Sequence, residues 1–368
     1  MSVNAGFATA STDFLIAALL IYSLAVLAFA GDYAFGRPHR KETAKPAVPA
    51  VAQLATVGAG AAGAGSAAAL AESGPVESGP ADAGPAEPAP PASSGGGTGL
   101  APARRVGAFR AIWAAGPWIR AAVGLSGLGI LAHFVAIVCR GIAVDRAPWG
   151  DMYEFVTALT CVAAIFFGYI VVRYRAWALG VFVMGAVVVA LGLAETLIYT
   201  AAGPLVPALQ SYWLSIHVTA MTLSTGIFFV AAVLGILYLV SERYRKRVAA
   251  GKIQSGNGLI DRIPSAAQLD KLTYRTVVFG FPIWTFGVIA GAIWADQAWG
   301  RYWGWDPVET WAFITWVIYA AYLHARATAG WRGARAHYIQ LLAFATLMVN
   351  IFVIQIFITG MHSYAGVN

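Results

Sequence analysis

The residues best equipped for chemistry lie in one short stretch, WGRYWGWDPVETW, at positions 299–311. It is the centre of what we call the tryptophan segment, residues 294–316, which holds six tryptophans. Indoles form a broad apolar surface with N–H donors at its rim, and Gly300 and Gly304 let the backbone approach a ligand closely. An interfacial aromatic belt explains a ring or two at a helix end but not this density. The segment therefore predicts binding of a large, flat, mostly apolar ligand.

Two histidines flank this segment from other parts of the chain. His217 lies in YWLSIHVTAM, near the start of an apolar run, and His362 lies in ITGMHSYAG, at the end of the last apolar run. Taken singly, either would be an ordinary interfacial histidine. Two imidazoles on opposite sides of an aromatic surface are what six-coordinate haem iron requires. We therefore predict that His217 and His362 are axial ligands of haem iron.

The remaining histidines differ in predicted depth. His324 lies about 22 Å from the outer end of its helix at 1.5 Å per residue, and an ionisable residue there is a functional candidate. His133 differs from it in depth by about 10 Å, so we predict a packed, hydrogen-bonded residue and only a tentative second ligand. An inner haem iron bound by His324 would then need a ligand from a partner protein. His39 and His337 lie among basic residues and are predicted to be solvated.

Charged side chains of the tryptophan segment have predicted roles of their own. Arg301 is the natural counter-charge for a porphyrin propionate, whereas Asp306 and Glu309 would repel one. These two acids can instead accept hydrogen bonds from indole or imidazole N–H groups and keep the aromatic surface rigid.

The elements that position these residues are predicted to be membrane helices. The 368 residues are 59% hydrophobic and only 11% charged, against roughly a quarter charged in a soluble domain. Apolar runs near the 20 or so residues needed to cross a bilayer recur eight times. They cover residues 13–30, 121–140, 153–172, 176–194, 213–240, 276–295, 309–328 and 338–361. The predicted fold is an all-α integral membrane protein of about eight transmembrane helices.

Basic residues set the predicted orientation. They follow the first, third and fifth helices, precede the second, and separate the seventh from the eighth. Short loops rich in Lys and Arg stay on the cytoplasmic side, so both termini are predicted to face outside. The tryptophan segment and its two flanking histidines then share the outer face. The net charge of +7 is explained by the basic residues of the cytoplasmic loops, so it does not indicate a nucleic-acid partner. We expect the helices to be in contact with membrane lipid.

We divide the chain into three parts. Residues 1–36 are predicted to be an N-terminal transmembrane anchor, because no basic stretch precedes the apolar run as it would in a cleaved signal peptide. Residues 37–112 are rich in Ala, Pro and Gly and are predicted to be a disordered cytoplasmic linker. Residues 113–368 are predicted to form a polytopic bundle of seven helices.

The two cysteines, Cys139 and Cys161, form no CxxC pair, which gives a thiol-reductase function little support. Their predicted depths differ by about 12 Å, whereas a disulfide needs α-carbons within about 7 Å. We predict that both are small core residues.

Three motifs resemble a known family. WGRYWGWDPVETW resembles the WWD signature of haem-handling proteins, and the run that continues to WVIYAAYLH is similar to the CcsA/ResC family, the membrane cytochrome c synthase subunit of the System II pathway. APWGDMYEF at 147–155 is similar to that family's outer-loop motif, although the family usually has Asn where this chain has Asp151. The resemblance covers residues 121–368.

This resemblance implies a function in cytochrome c biogenesis at the cytoplasmic membrane. Haem b would be carried to the outer, periplasmic face and joined there to the CxxCH motif of apocytochrome c, in a complex with a CcsB/ResB-type partner. His217 and His362 match the family's outer pair, and His324 matches the histidine after the signature. The predicted haem-contacting residues of the segment are Trp299, Arg301, Tyr302, Trp303, Trp305, Asp306, Glu309 and Trp311.

Because a substrate cysteine adds across each haem vinyl group, this holocytochrome c synthase chemistry needs no protein nucleophile, and we predict no catalytic residue of that kind. Two alternatives stay open from the sequence. One is a haem exporter or chaperone without ligation activity. The other, from a different class, is a membrane lipid-linked oligosaccharide transferase, whose signature has adjacent tryptophans rather than Trp-Gly-Trp-Asp-Pro.

Overall fold

The computed structural model describes residues 3–36, 107–204, 211–256 and 258–362. Within those ranges the chain is helical and contains no β-strand. The helices are α1 Ala5–Phe35, α2 Ala108–Ala114, α3 Pro117–Val144, α4 Met152–Tyr174, α5 Gly180–Leu197, α6 Tyr212–Ala249, α7 Leu259–Arg262, α8 Ala266–Trp299, α9 Pro307–Ala327, α10 Ala334–Met348 and α11 Gln355–Phe357.

All eight predicted apolar stretches are helical, and seven of these helical segments are long and apolar enough to cross a membrane. The eighth stretch, α9, has 21 residues but is less hydrophobic than the other seven. Its Trp and Tyr side chains lower the mean hydropathy, because their polar N–H and O–H groups give these residues lower hydropathy values than aliphatic residues have. The all-α membrane fold is thus confirmed, while the orientation of the termini stays a prediction.

Two helices extend further than their apolar runs. α6 has 38 residues, about 57 Å at 1.5 Å per residue, and continues through the charged sequence SERYRKRVA, where Glu242 and Lys246 form an ion pair of 2.9 Å one turn apart. α8 begins ten residues before the predicted position 276, at Ala266, because Ser265 and Gln268 form a capping box. Polar residues with high helix propensity, and capping residues, extend both helices beyond the ends predicted from hydropathy alone.

The N-terminal helix packs closely on α3. Gly129 gives the ring of Tyr22 room, since a methyl group at this glycine would lie 2.6 Å from it. Ser11 Oγ donates to the carbonyl oxygen of Ala136 at 2.8 Å. α1 also contacts α5, so it belongs to the packed helices of this unit.

The predicted linker lies almost wholly outside the described residues. Its last part is an exception, because Ala108–Ala114 forms the short helix α2. The sequence AFRAIWA contains neither Gly nor Pro, which favours a helix.

The centre of the bundle is α6, which packs against α4 on one side and α8 on another. Gly226 on α6 allows the close contact with α4, since a methyl group there would lie 2.7 Å from the carbonyl oxygen of Leu159. Gly287 on α8 allows the close contact with α6, since a methyl group there would lie 2.7 Å from the sulfur of Met221. Small residues at such crossings let membrane helices approach closely. Cys139 and Cys161 are buried free thiols, as predicted.

The chain after α10 changes its helical geometry. Residues Val349–Ile354 form a π-helical turn, which directs Asn350 into the bundle. π-turns place an extra residue in a helix and frequently occur at functional sites. After α11 the chain returns toward the start of α9, where His362 meets Asp306.

Candidate functional site

The connection between α8 and α9 is held by its own hydrogen bonds. α8 ends at Gly300, whose φ of 69° is the left-handed conformation that glycine adopts easily. α9 begins with a capping box in which Asp306 is the N-cap and Pro307 the first helical residue. Glu309 accepts from the backbone N–H of Gly304 at 2.8 Å and from that of Asp306 at 3.2 Å. The local sequence therefore gives the tryptophan segment a fixed backbone.

Asp306 orients His362. His362 Nδ1 lies 2.8 Å from Asp306 Oδ2, and the Met361 N–H donates to Oδ1 at 2.6 Å. Burial acts to raise the pKa of Asp306, but the hydrogen bonds from His362 and Met361 outweigh it and hold the pKa below its ordinary value. An ionised carboxylate only accepts hydrogen bonds, so Nδ1 of His362 is the donor, and in the neutral imidazole the lone pair is on Nε2. Asp306 thus accepts from an imidazole as predicted, whereas Glu309 binds backbone N–H groups.

His217 is oriented in the same way by a different acceptor. Its Nδ1 lies 2.7 Å from the carbonyl oxygen of Gly287 on α8. A carbonyl can only accept, so Nε2 again keeps the lone pair. Gly291, one turn further along α8, makes room for the ring, since a methyl group there would lie 2.6 Å from the imidazole.

The structure brings these two imidazoles to one cavity, and both line its wall. Trp294 lies beside each of them, with ring centroids 6.3 Å from His217 and 5.9 Å from His362. The imidazole centroids are therefore at most the sum of these distances apart, 12.2 Å. Trp299 also packs edge-on against His362 at 5.0 Å. The histidines and the tryptophan segment form a single site.

The cavity suits a large aromatic ligand. Its empty volume, which includes open solvent at the mouth, is about 1150 Å³. Its aromatic wall consists of Trp149, Phe155, Trp284, Trp294, Trp299, Tyr302 and Trp303. Two imidazole nitrogens facing such a wall fit a metal that brings its other ligands in a flat macrocycle, as haem iron does.

Four residues of the tryptophan segment that were predicted to contact haem lie outside the cavity wall. Arg301, Trp305, Asp306 and Trp311 are not among the described residues that line the cavity. The guanidinium of Arg301 lies directly over Gly304, where it would overlap an added methyl group. Trp305 is 67% exposed and has a φ of 57°, which is uncommon for a residue other than glycine. It packs against Trp303 and supports the wall from outside.

One loop supplies several lining residues that the sequence did not place in the site. Trp149, Gly150, Asp151 and Phe155 all line the cavity. Their motif, APWGDMYEF, served only to support the resemblance, and the resemblance was the one signal that could have marked them. Asn350 and Trp284 also line the cavity, and nothing in their sequence surroundings indicates it.

A buried ionic cluster fixes this loop. Glu154 is 1% exposed; it receives hydrogen bonds from Arg140 at 2.9 Å, from Arg146 at 2.7 Å and from the Gly150 N–H at 2.7 Å. Asp151 caps α4 by accepting from the Glu154 N–H at 2.8 Å. Burial and the neighbouring Glu154 carboxylate raise the pKa of Asp151 to about 6.

The other histidines differ from one another in environment. His324 is exposed on the surface of α9, where a second protein chain can reach it. His133 is fully buried, as predicted, among α1, α3 and α4. The backbone of Thr157 on α4 is the polar group beside its ring.

The prediction that His337 is solvated is wrong. The side chain is 1% exposed, its Nε2 lies 3.1 Å from Asp270 Oδ1, and its ring stacks on Tyr238 at 3.9 Å. Arg335, two residues before it on α10, is exposed on another face of that helix. His39 lies outside the described residues.

Comparison with known proteins agrees with this geometry. A family model described as "Cytochrome C assembly protein" matches residues 149–362, a range that runs from Trp149 of the cavity wall to His362. The chain belongs to this family. The family placement predicted from the WWD signature is therefore confirmed.

Individual members of the family are similar over most of their length. The "Cytochrome c biogenesis protein CcsA" of Guillardia theta is 37% identical over 258 residues, which cover 66% of this chain and 84% of that protein. The CcsA of Heterosigma akashiwo is 36% identical over 60% of this chain and 77% of its own. The CcsA of Gloeobacter violaceus is 33% identical over 66% and 85%. These similarities place the chain among cytochrome c biogenesis proteins.

A solved "Cytochrome c Heme Lyase CcmF" aligns over 67% of this chain and 43% of its own, with 19% identity and a TM-score of 0.46. This similarity is too weak to carry an argument about function.

Proposed function

We propose that this protein binds haem b in the outer cavity through Nε2 of His217 and Nε2 of His362, and presents it for covalent attachment to the CxxCH motif of apocytochrome c. The observation that carries the proposal is the pair of Nδ1 hydrogen bonds, to Gly287 and to Asp306. Both bonds leave a lone pair on the nitrogen that iron uses, and both rings line one aromatic cavity.

The attachment reaction itself places few demands on this chain. The S–H of a substrate cysteine adds across a haem vinyl group, so that sulfur bonds to one carbon and hydrogen to the other, with no net oxidation. The protein contributes by holding the haem, exposing its vinyl edge and excluding water, which are positioning effects. We propose that this holocytochrome c synthase activity requires a CcsB/ResB-type partner.

The two proposed ligands are unequal. A carboxylate acceptor makes an imidazole more basic than a neutral carbonyl does, so His362, held by Asp306, binds iron more strongly than His217, held by Gly287. We infer that the histidine of the substrate CxxCH motif displaces His217. The haem then remains on His362 while the thioether bonds form.

An inner site is part of the same proposal. The exposed imidazole of His324 would bind haem iron together with a ligand from the partner chain, before the haem moves to the outer cavity. Transfer toward the periplasmic face of the cytoplasmic membrane agrees with the orientation predicted from the basic residues.

The test uses the full-length protein purified with its partner. We expect the double variant His217→Gly, His362→Gly to lose the outer haem, seen as a weaker Soret band, and to regain it when imidazole is added. His39→Gly, outside the residues that match the family, is the control and should keep the wild-type spectrum. Unchanged haem content in the double variant would contradict the proposal.

Coexpression with a CxxCH reporter separates the proposed synthase from a chaperone. Covalent haem on the reporter, dependent on the two histidines, supports the synthase. Bound but unattached haem would mean a chaperone or exporter. Family membership gives the oligosaccharide transferase alternative no support, and absence of haem from the purified wild-type complex is the result that would revive it.

A further inference from the structure

Basic residues of two helices meet where α4 ends and α8 begins. α4 ends with Arg173 and is capped by Arg175, and α8 carries Lys271 and Arg275 one turn apart, just before its apolar run. We call these four residues, together with Tyr174, the basic group. Because the apolar runs of both helices end at this level, the basic group lies at the height of the lipid headgroups.

Tyr174 brings two of these cations together. Its hydroxyl oxygen accepts from Arg275 Nη1 at 3.3 Å, and the guanidinium carbon of Arg173 lies 5.5 Å from the centre of its ring. A tyrosine hydroxyl is also a donor, and this one donates to no other described residue. Two guanidinium groups and one hydroxyl, all of them donors, are thus held around a single ring.

No carboxylate balances these charges within the described part of the chain. The ion pairs found there involve none of the four basic residues. Three acids at this end of the described helices, Glu242, Asp261 and Asp270, are bonded to other side chains. Cations gathered without a counter-charge repel one another and attract an anion.

Topology and the helix dipole explain most basic residues at this end of the bundle. Arg247 and Lys252, for example, are exposed near the end of α6. The basic group differs from such residues, because its two guanidinium groups are held on a tyrosine at the junction of two helices.

An apolar surface continues from the basic group toward the middle of the membrane. α4 and α8 pack on α6 rather than on each other, and the rings of Phe166 and Phe279 stack across the gap between them at 6.0 Å. Tyr169 lies 6.2 Å from Phe166 and 6.4 Å from Tyr174. Tyr169 and Phe279 are 55% and 57% exposed, so we call them the lipid-facing rings. Cations at headgroup height beside exposed rings fit a ligand with an anionic head and long apolar chains.

We propose that the basic group and the lipid-facing rings bind an anionic phospholipid between α4 and α8. Its phosphate lies among the guanidinium groups of Arg173 and Arg275 and the hydroxyl of Tyr174, while its acyl chains cover the rings. A guanidinium suits this function because it donates two parallel hydrogen bonds to a phosphate. Basic pockets between membrane helices on the cytoplasmic side bind such headgroups, and the predicted topology places the basic group on that side. The inference does not rest on the proposed function, since it involves neither haem nor the outer cavity.

Native mass spectrometry of the full-length protein, released from detergent that contains defined lipids, tests the proposal. We expect phosphatidylglycerol to stay bound several-fold more than phosphatidylcholine with the same acyl chains. The double variant Arg173→Gln, Arg275→Gln should lose this preference, because it lacks both groups that hold the phosphate. Equal retention of the two lipids by the wild type would overturn the proposal.

The double variant Arg247→Gln, Lys252→Gln is the matched control. It removes the same number of positive charges from the same end of the bundle and should keep the wild-type preference for phosphatidylglycerol. An equal loss in both double variants would mean general attraction to a basic surface and would overturn the proposal. If Arg173→Gln, Arg275→Gln does not fold, Arg275→Gln alone decides, with a smaller loss expected in the same direction.

Inorganic phosphate separates a lipid site from a simple anion site. Millimolar phosphate should displace no more phosphatidylglycerol than chloride does at the same ionic strength, because phosphate has no chains to cover the lipid-facing rings. Stronger displacement by phosphate would show that the anion alone is recognised, and the lipid proposal would then be wrong.

Discussion

At the scale of the residue, the site depends on which nitrogen of each imidazole is free. Gly287 and Asp306 accept the Nδ1 hydrogen of His217 and His362, so both rings keep a lone pair on Nε2. The two acceptors differ in charge, and this difference makes the pair of histidines chemically unequal.

Asp306→Asn tests the effect of the charged acceptor. Asn can still cap α9, but it no longer raises the basicity of His362. We expect haem affinity to fall by about 10–100-fold, as for other ligand-orienting carboxylates, measured by Soret titration of the apo complex. Asp261→Asn, in the short helix α7, is the matched control. Equal affinity in the wild type and Asp306→Asn would show that the carboxylate does not influence the iron ligand.

Asp151 gives a pH-dependent prediction. Burial and Glu154 raise its pKa from 3.8 to about 6, so the fold favours the protonated form. Its charged form therefore destabilises the fold as the pH rises from about 4 to about 6, by up to about 3 kcal/mol. Asp151→Asn keeps the helix cap and should be more stable than wild type at pH 7.5 and equally stable near pH 4.

Thermal unfolding in detergent at both pH values measures this difference. A stability gain of the same size at the two pH values would mean that the charge of Asp151 is not its cause. The amide also corresponds to the residue that the family usually has at this position.

At the scale of the element, the close packing of α6 on α8 places His217. Two glycines one turn apart on α8 accomplish this: Gly287 supplies the carbonyl oxygen and Gly291 the space for the ring. The tryptophan segment begins on the same helix, so α8 both positions the imidazole of His217 and carries part of the aromatic wall.

Gly291→Ala should displace the imidazole of His217, because the added methyl group would lie 2.6 Å from it. We expect the outer haem to change from six- to five-coordinate, with His362 retained, as seen by resonance Raman or absorption spectroscopy. Gly185→Ala adds the same methyl group in open space and should keep the six-coordinate spectrum. A six-coordinate spectrum in Gly291→Ala would contradict this account of α6–α8 packing.

For the whole molecule, the site lies where four separate parts of the chain meet. They are the start of α4, the start of α6, the end of α8 with the start of α9, and the chain from the end of α10 to His362. The predicted topology puts this cavity on the outer side and the polar end of α6 on the inner side.

Cysteine accessibility tests the topology. Both native cysteines are buried and should not react. We expect Tyr199→Cys, at an exposed position after α5, to react with a membrane-impermeant maleimide from outside intact cells. Gln254→Cys, in the exposed segment after α6, should react only after the membrane is opened. The reverse pattern would invert the proposed direction of haem transfer.

The class of fold, and the two histidines that the structure brings to one cavity, could be predicted from the sequence. Apolar runs of membrane-spanning length are visible in one dimension because each helix satisfies its own backbone within the bilayer. The tryptophan segment with His217 and His362 was visible because their residue types are rare in such density. What the tertiary structure alone decided are the partners: the backbone carbonyl of Gly287 beside His217, the loop with Asp151 in the cavity wall, and the burial of His337. These depend on contacts between residues far apart in sequence, and a backbone oxygen has no residue type by which a sequence could reveal it.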